Sequence, residues 1–290
     1  MHVKEFFDKD TATFTYVVAD ISKGRCAIID PVLDFDAPSG NITTGSADAV
    51  VEYIHKMDWK VDWILETHAH ADHLTASAYL KKKLGGTVGI GERIVDVLET
   101  WVPVFDAQGN IPTDGRQFDT LFKEGDVFSV GDMQVRVMHT PGHTPACVSY
   151  LVQDAVFVGD TVFMPHMGSA RTDFPGGDAA VLYRSIQRIL GLPKETKVYV
   201  GHDYPKAGEE ASCMATVAQQ NEHNVMVKKG ICEADFVQER RKRDTGKAVP
   251  RLLLPSLQVN IQAGHVRAAD SSGRCFLKIP LKVPECLILQ

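Results

Sequence analysis

The sequence predicts an α+β fold, a sandwich of two β-sheets with helices on the outside. Three observations predict it. Strand-like and amphipathic helical runs alternate in both halves of the chain, the pattern of a layered architecture. No linker or internal repeat interrupts the 290 residues, and at roughly 150 residues per domain that length suits one large domain, 1–290, with 249–290 as a C-terminal extension packing on it. Hydrophobic residues make up 44% and charged residues 23%, ordinary values that exclude a disordered or collagen-like chain.

The elements follow in order. Thr13 to Ala19 and Arg25 to Ile29 read as strands joined by a Ser-Lys-Gly turn. Ser46 is the expected cap of a helix whose apolar face is Ala47, Val50, Val51, Ile54 and Met57, and Trp63-Ile64-Leu65 is a buried strand. A helix is expected over 72–84, stopping at Gly85-Gly86, then a strand over 87–90 and a helix marked by Ile94, Val95, Leu98 and Trp101. The stretch 103–117, rich in Gly, Pro, Asp and Gln, reads as a surface loop. Strands are expected at 127–130, 134–138, 147–152 and 155–158, then a helix capped by Asp178 that carries Val181, Leu182, Ile186, Ile189 and Leu190. A buried strand over 196–200 and a helix over 209–229 come next. Two strand-like pieces, LQVNI and CFLKIPL, close the chain.

Charge and cysteine usage narrow the function. Lys and Arg number 31 against 37 Asp and Glu, and the net charge of −6 offers no general attraction to nucleic acid or to an anionic membrane. Six scattered cysteines show no C-x-x-C pair, so they are expected to be reduced thiols. No secretory signal and no stretch of 18 apolar residues is present, so a cytoplasmic location is the expectation.

Chemistry concentrates in the histidines. Three of the 11, His68, His70 and His73, fall within six positions together with Asp72, directly after the Trp63-Ile64-Leu65 strand. Neutral imidazoles and a carboxylate at this density are metal-ligand chemistry. Further candidates stand at predicted strand ends, each just after a glycine: His143 in HTPGHT, Asp160 in VGDT and His202 in VGHDY.

The combined pattern, T-H-x-H-x-D-H followed by G-H-T, G-D-T and G-H-D, resembles the metallo-β-lactamase superfamily over about residues 13–205. The resemblance implies a four-layer αβ/βα sandwich with the metal site at one edge. In its dinuclear hydrolases, His68, His70 and His143 would serve one metal, Asp72, His73 and His202 the other, and Asp160 would bridge. Finer similarity lies in HTPGHTPACVSYLV, GDTVFMPHMGSARTDFPGG and VGHDY, which look like the persulfide dioxygenases of the ethylmalonic encephalopathy protein type, and the tail is similar to their bacterial branch.

That family implies one Fe(II) per chain held by His68, His143 and Asp160, with zinc as the competitor on isolation. A 2-His-1-carboxylate triad leaves iron positions open for a persulfide and O₂. His70, Asp72, His73 and His202 then become outer-shell groups, or ligands of a second metal. Arg171, in ARTDF, looks like the family arginine near glutathione, with a salt bridge to Asp173 or Asp178 as its competing role. Tyr204 is the candidate catalytic hydroxyl. The implied activity is oxidation of glutathione persulfide by O₂ to sulfite and glutathione. The alternative is a dinuclear hydrolase resembling glyoxalase II, acting on a glutathione thioester, and a non-catalytic metal-binding protein is the third class. Neither nucleic acid nor membrane is expected as a partner, and a homodimer is the base-rate assembly.

Four other features are expected to be structural. His139 packs at a strand end. His166 stays off the substrate. Cys147 is a buried thiol with no basic neighbour to activate it, and ERRKR at 239–243 is a solvated helix face.

Overall fold

The computed structural model describes residues 1–206, 208–266 and 271–284. Apolar alternation builds the first sheet. β1 (His2–Asp8) and β2 (Thr13–Asp20) pair antiparallel, and β2, buried along its whole length, pairs with β3 (Arg25–Ile29) across the Ser-Lys-Gly turn. β1 was not expected: its Lys4 and Glu5 break the apolar alternation, as suits a half-exposed edge strand. β4 (Val32–Asp36) and β5 (Asn41–Thr43) form a small hairpin before α1 (Gly45–Lys56). The expected Ser46 cap is corrected to Thr44, because the Ser46 N–H donates to Asp34 and the helix already begins at Gly45.

β6 (Lys60–Leu65) runs parallel to β3 and delivers the histidine cluster at its C-terminal end. The helix expected over 72–84 is shorter. Leu74 and Thr75 form β7 (Leu74–Thr75), paired with Val32 and Leu33 of β4, and α2 (Ser77–Leu84) starts only after it. Asp72 and His73 therefore sit on a turn instead of a helix. β8 (Thr87–Gly91), α3 (Ile94–Val104) and β9 (Thr120–Phe122) complete a sheet of order β1-β2-β3-β6-β8-β9. The loop before β9 is not all surface, since Phe105, Ala107 and Ile111 anchor it in the core.

β10 (Val127–Val130), β11 (Met133–His139), β12 (Val148–Val152) and β13 (Ala155–Phe157) form an antiparallel meander. α4 (Ala179–Leu190) starts as expected at Asp178, whose carboxylate accepts the Val181 N–H at 2.8 Å. β14 (Lys197–Tyr199) then joins β13 in parallel, and β15 (Met214–Thr216) closes a sheet of order β10-β11-β12-β13-β14-β15.

In place of one helix over 209–229 the chain forms β15 and α5 (Val217–His223), because Thr216 and Gln219 make a reciprocal cap that starts a helix there. α6 (Glu233–Asp244) and α7 (Leu253–Asn260) follow. The LQVNI strand is thus corrected to a helix, whose Leu257 and Val259, with Ile261 just beyond it, pack under the first sheet. CFLKIPL forms no strand. It lies along α7, where the Lys278 N–H donates to the Gln258 side chain at 2.7 Å. Residues 285–290 of the expected tail, Cys286 included, lie outside the described residues.

Three apolar clusters define four layers. One, with Phe14, Tyr16, Leu65, Val137, Tyr150 and Phe157, fills the space between the sheets. A second lies under α1, α2, α3 and α7, and a third under α4, α5 and α6. The result is the αβ/βα sandwich expected, with the histidine-bearing loops on one edge.

Candidate metal centre and its pocket

Each of the seven candidate ligands stands on a loop leaving a strand. His68, His70, Asp72 and His73 follow β6, His143 follows β11, Asp160 follows β13 and His202 follows β14. Two glycines let these loops close in. Gly142 has a φ of 131°, and a Cβ there would stand 2.3 Å from the Leu182 backbone nitrogen. A Cβ on Gly159 would stand 2.2 Å from the Thr67 hydroxyl.

The structure brings all seven together. His68, His143 and Asp160 offer ligand atoms within 4.8 Å of one another, as do His70, Asp72 and His73. Asp160 lies between the groups, one oxygen 3.8 Å from His143 Nε2 and the other 3.3 Å from His202 Nε2. His202 Nε2 is also 3.4 Å from Asp72.

Hydrogen bonds on the far side of each ring set which nitrogen faces inward. His143 Nδ1–H donates to the Arg171 carbonyl at 2.8 Å, and His202 Nδ1–H to the Ala12 carbonyl at 3.0 Å. Thr67 donates its hydroxyl proton to Asp30 and so accepts from His68 Nδ1–H, at 3.0 Å. His70 reverses the pattern, giving Nε2–H to Asp30 at 3.0 Å, with Glu66 at 3.4 Å. What remains is informative. His68 Nε2, His70 Nδ1, His73 Nε2 and Asp160 Oδ1 are buried without a hydrogen-bond partner. Orphaned buried acceptors are costly unless a cation completes them, so these residues fit a metal.

Electrostatics differ across that donor set. Burial, with the neighbouring His70 and His143, holds the His68 pKa well below the ordinary value, leaving a neutral ring with a free lone pair. Burial opposes charge on His70 too, but Asp30 and Glu66 outweigh it and raise its pKa. Burial likewise acts against ionised Asp72, yet His202 and His73 keep it well below the carboxylate range.

The site opens into a pocket of about 440 Å³. Asp72, His143, Asp160 and His202 line it together with Arg171, Arg240, Arg243 and Lys247. Arg171 reaches the pocket, but in the structure its guanidinium clamps Asp173 through two bonds of 2.6 and 2.7 Å and donates to the Ala248 carbonyl. Asp178 caps α4 instead, so of the two competing partners Asp173 is the one used. Tyr204 stacks on the His202 ring at 6.0 Å and stands at the mouth, 60% exposed.

The solvated ERRKR face needs correction. Arg240 is 2% exposed and paired with Asp244 at 2.7 Å, because α6 lays it against Ser169 and Met226. Asp30, Glu66, Thr67, Asn260, Arg243 and Lys247 were missed as well. Asp30 and Glu66 carried a local signal, each an acidic residue directly after an apolar strand.

His139 packs at the end of β11, and His166 is exposed and 3.5 Å from Asp203. The Cys147 thiol is buried near Thr144, and burial pushes its pKa up to about 12. Native protein treated with iodoacetamide at neutral pH is therefore expected to be modified at exposed Cys232 and Cys275 and spared at Cys147 and Cys26, as read by peptide mass spectrometry. Alkylation of Cys147 at the rate of Cys232 would show that its loop opens. No helix among the described residues is long and apolar enough to cross a membrane.

Comparison with known proteins matches residues 8–202 to the family described as Metallo-beta-lactamase superfamily. A probable metallo-hydrolase of Burkholderia pseudomallei is 45% identical over 291 residues, covering 97% of this chain and 99% of that protein. Glyoxylase B2 of Dictyostelium discoideum is 42% identical, with 96% of each covered. The mitochondrial persulfide dioxygenase ETHE1 of Homo sapiens is 30% identical over 205 residues, covering 70% of this chain and 68% of that one. The crystal structure of ETHE1 from Myxococcus xanthus aligns with a TM-score of 0.73 and 28% identity, over 91% of this chain and all of that one. With four layers, seven convergent candidate ligands and a family match over residues 8–202, the chain belongs to the metallo-beta-lactamase superfamily.

Proposed function

We propose that the protein is a non-haem Fe(II) persulfide dioxygenase that converts glutathione persulfide, O₂ and water into glutathione and sulfite. The observation that supports this most is the group of His68, His143 and Asp160, the last two of which line a pocket together with Arg171, Arg243 and Lys247. Two imidazoles and one carboxylate are the donor set that suits ferrous iron and leaves coordination positions open. The chemistry supplied by iron when bound is activation of O₂ for oxygen transfer to sulfur.

The residues of the chain bind and orient. Asp30 and Thr67 hold the His68 ring, and the Arg171 carbonyl holds His143. A tripeptide with two carboxylates finds Arg171, Arg243 and Lys247 around the pocket. Arg171 and Arg243 already pair with Asp173 and Glu239, whereas Lys247 makes no ion pair among the described residues. Burial and the nearby Arg240 cation lower the Lys247 pKa, so an arriving carboxylate relieves repulsion there. Lys247→Gln is expected to raise KM for glutathione persulfide about tenfold with kcat unchanged, the value of one charge-assisted hydrogen bond lost equally from substrate and transition state. Arg171→Ala is expected to raise KM as well. An unchanged KM in steady-state O₂ uptake would remove the residue concerned from the substrate site.

A dinuclear hydrolase acting on a glutathione thioester is the second reading, favoured by the second group, His70, Asp72 and His73, and by relatives named metallo-hydrolase and Glyoxylase B2. One experiment separates them. Anaerobically iron-loaded protein is given glutathione persulfide while O₂ uptake, sulfite and metal content are measured in one sample, and S-lactoylglutathione hydrolysis is measured in parallel. Sulfite formed in step with O₂ at about one iron per chain is the expected result. Two metals per chain, rapid thioester hydrolysis and no O₂ uptake would establish the hydrolase.

A further inference from the structure

We infer that Asn260, near the C-terminal end of the chain, is a positioning residue of the metal centre. The residue sits at the end of α7 and is 3% exposed. Its Nδ2 donates to the carbonyls of His70 and His73, both at 2.8 Å, and its Oδ1 accepts the Thr75 N–H, also at 2.8 Å. One carboxamide thus holds the turn that presents His70, Asp72 and His73. Two acceptors and one donor fit only one orientation of that amide, since the flipped group would face two carbonyls with its oxygen.

The anchor is itself held. Leu257, Val259 and Ile261 are buried around it, and Gly264, at a φ of 84°, lies so close to Thr75 and Ala78 that a Cβ would stand 3.1 Å from the Thr75 carbonyl and 3.0 Å from the Ala78 nitrogen. The helix reaches across the outer layer to a loop nearly 190 residues earlier in sequence. A metal loop on a turn, with no helix to stiffen it, is otherwise free to relax when its ligands are empty. The clamp keeps His70, Asp72 and His73 converged in advance, so that metal binding does not have to order them. The inference requires metal binding at the cluster but holds for either reaction, so the dioxygenase assignment can fail without it.

The test uses zinc and the full chain. Asn260→Leu removes all three bonds at similar volume. Asn260→Asp retains the acceptor for Thr75 and loses both donors to the carbonyls. Ile189→Ala, in α4 on the opposite outer layer, lowers stability away from the loop. Competition against a chromophoric chelator is expected to show zinc affinity weakened about 10- to 100-fold in both Asn260 variants and unchanged in Ile189→Ala at matched fraction folded. Should both Asn260 variants fail to fold, the wild-type protein decides. Amide exchange of the 70–76 segment is expected to be as slow in the metal-free protein as in the zinc-loaded one. Wild-type zinc affinity in either folded Asn260 variant, or rapid exchange of that segment in metal-free wild type, would overturn the inference.

Discussion

Asp160→Ala is expected to yield a folded protein that retains no metal and shows no turnover. Asp160 is the one carboxylate facing both groups of candidate ligands, 3.8 Å from His143 Nε2 and 3.3 Å from His202 Nε2. Alanine leaves two imidazoles, His68 and His143, where a hard carboxylate donor had completed the set for ferrous iron. The fold should survive, because Asp160 Oδ1 makes no hydrogen bond whose loss would weaken the sheets. His68→Ala should have the same effect from the other side of the triad. Metal analysis and O₂ uptake, with circular dichroism to certify folding, measure it. Asp72→Ala separates the two functional readings. It leaves the His68, His143 and Asp160 group whole, so a one-iron enzyme keeps its metal, whereas a dinuclear hydrolase loses the second ion and its rate. Stoichiometric metal and full activity in Asp160→Ala would exclude the site as assigned.

Asp244→Ala is expected to cost about 3–5 kcal/mol of stability by urea unfolding. The Asp244 carboxylate accepts from Arg240 at 2.7 Å and from the Thr172 N–H at 2.9 Å, and both members of the ion pair are buried. Removing it strands a guanidinium in an apolar layer beside Met226, and the surviving bond to the Ser169 carbonyl does not replace a counter-charge. The double change Arg240→Met, Asp244→Leu should cost far less than Asp244→Ala, since no unpaired charge is left. Loss of the Thr172 anchor should also loosen the neighbouring Arg171 carbonyl, which orients His143, so metal retention should fall with stability. A change within 0.5 kcal/mol would mean that water reaches Arg240 in solution.

The seven candidate ligands named from the sequence converge at one edge of the fold. Each follows a strand, so local alternation and a glycine point to the place where the backbone leaves the sheet. α4 was legible for the same reason, its Asp178 cap and its apolar spacing being properties of one short segment. Arg171 was legible both as a pocket residue and as a salt-bridge partner of Asp173 or Asp178, and the structure shows it lining the pocket while paired with Asp173. Its bidentate contact with Asp173 shows a charge already matched, which shifts attention to Lys247.

By itself, the sequence determined the layered class and the places along the chain where candidate metal ligands stand, because these depend on side-chain type and on spacings of a few residues. Only the tertiary structure decided which atoms of those residues are left free. That outcome depends on Asp30, Thr67, Ala12 and the Arg171 carbonyl, which hydrogen-bond the outer nitrogens from distant parts of the chain. It also placed Asp72 and His73 on a turn by pairing β7 with β4, turned LQVNI from a strand into a helix, and buried Arg240 within a run of charges. The physical reason is common to all of these. Burial and hydrogen-bond satisfaction are properties of contacts between segments far apart in sequence, and local propensity yields to them whenever a buried polar group would otherwise go unpaired.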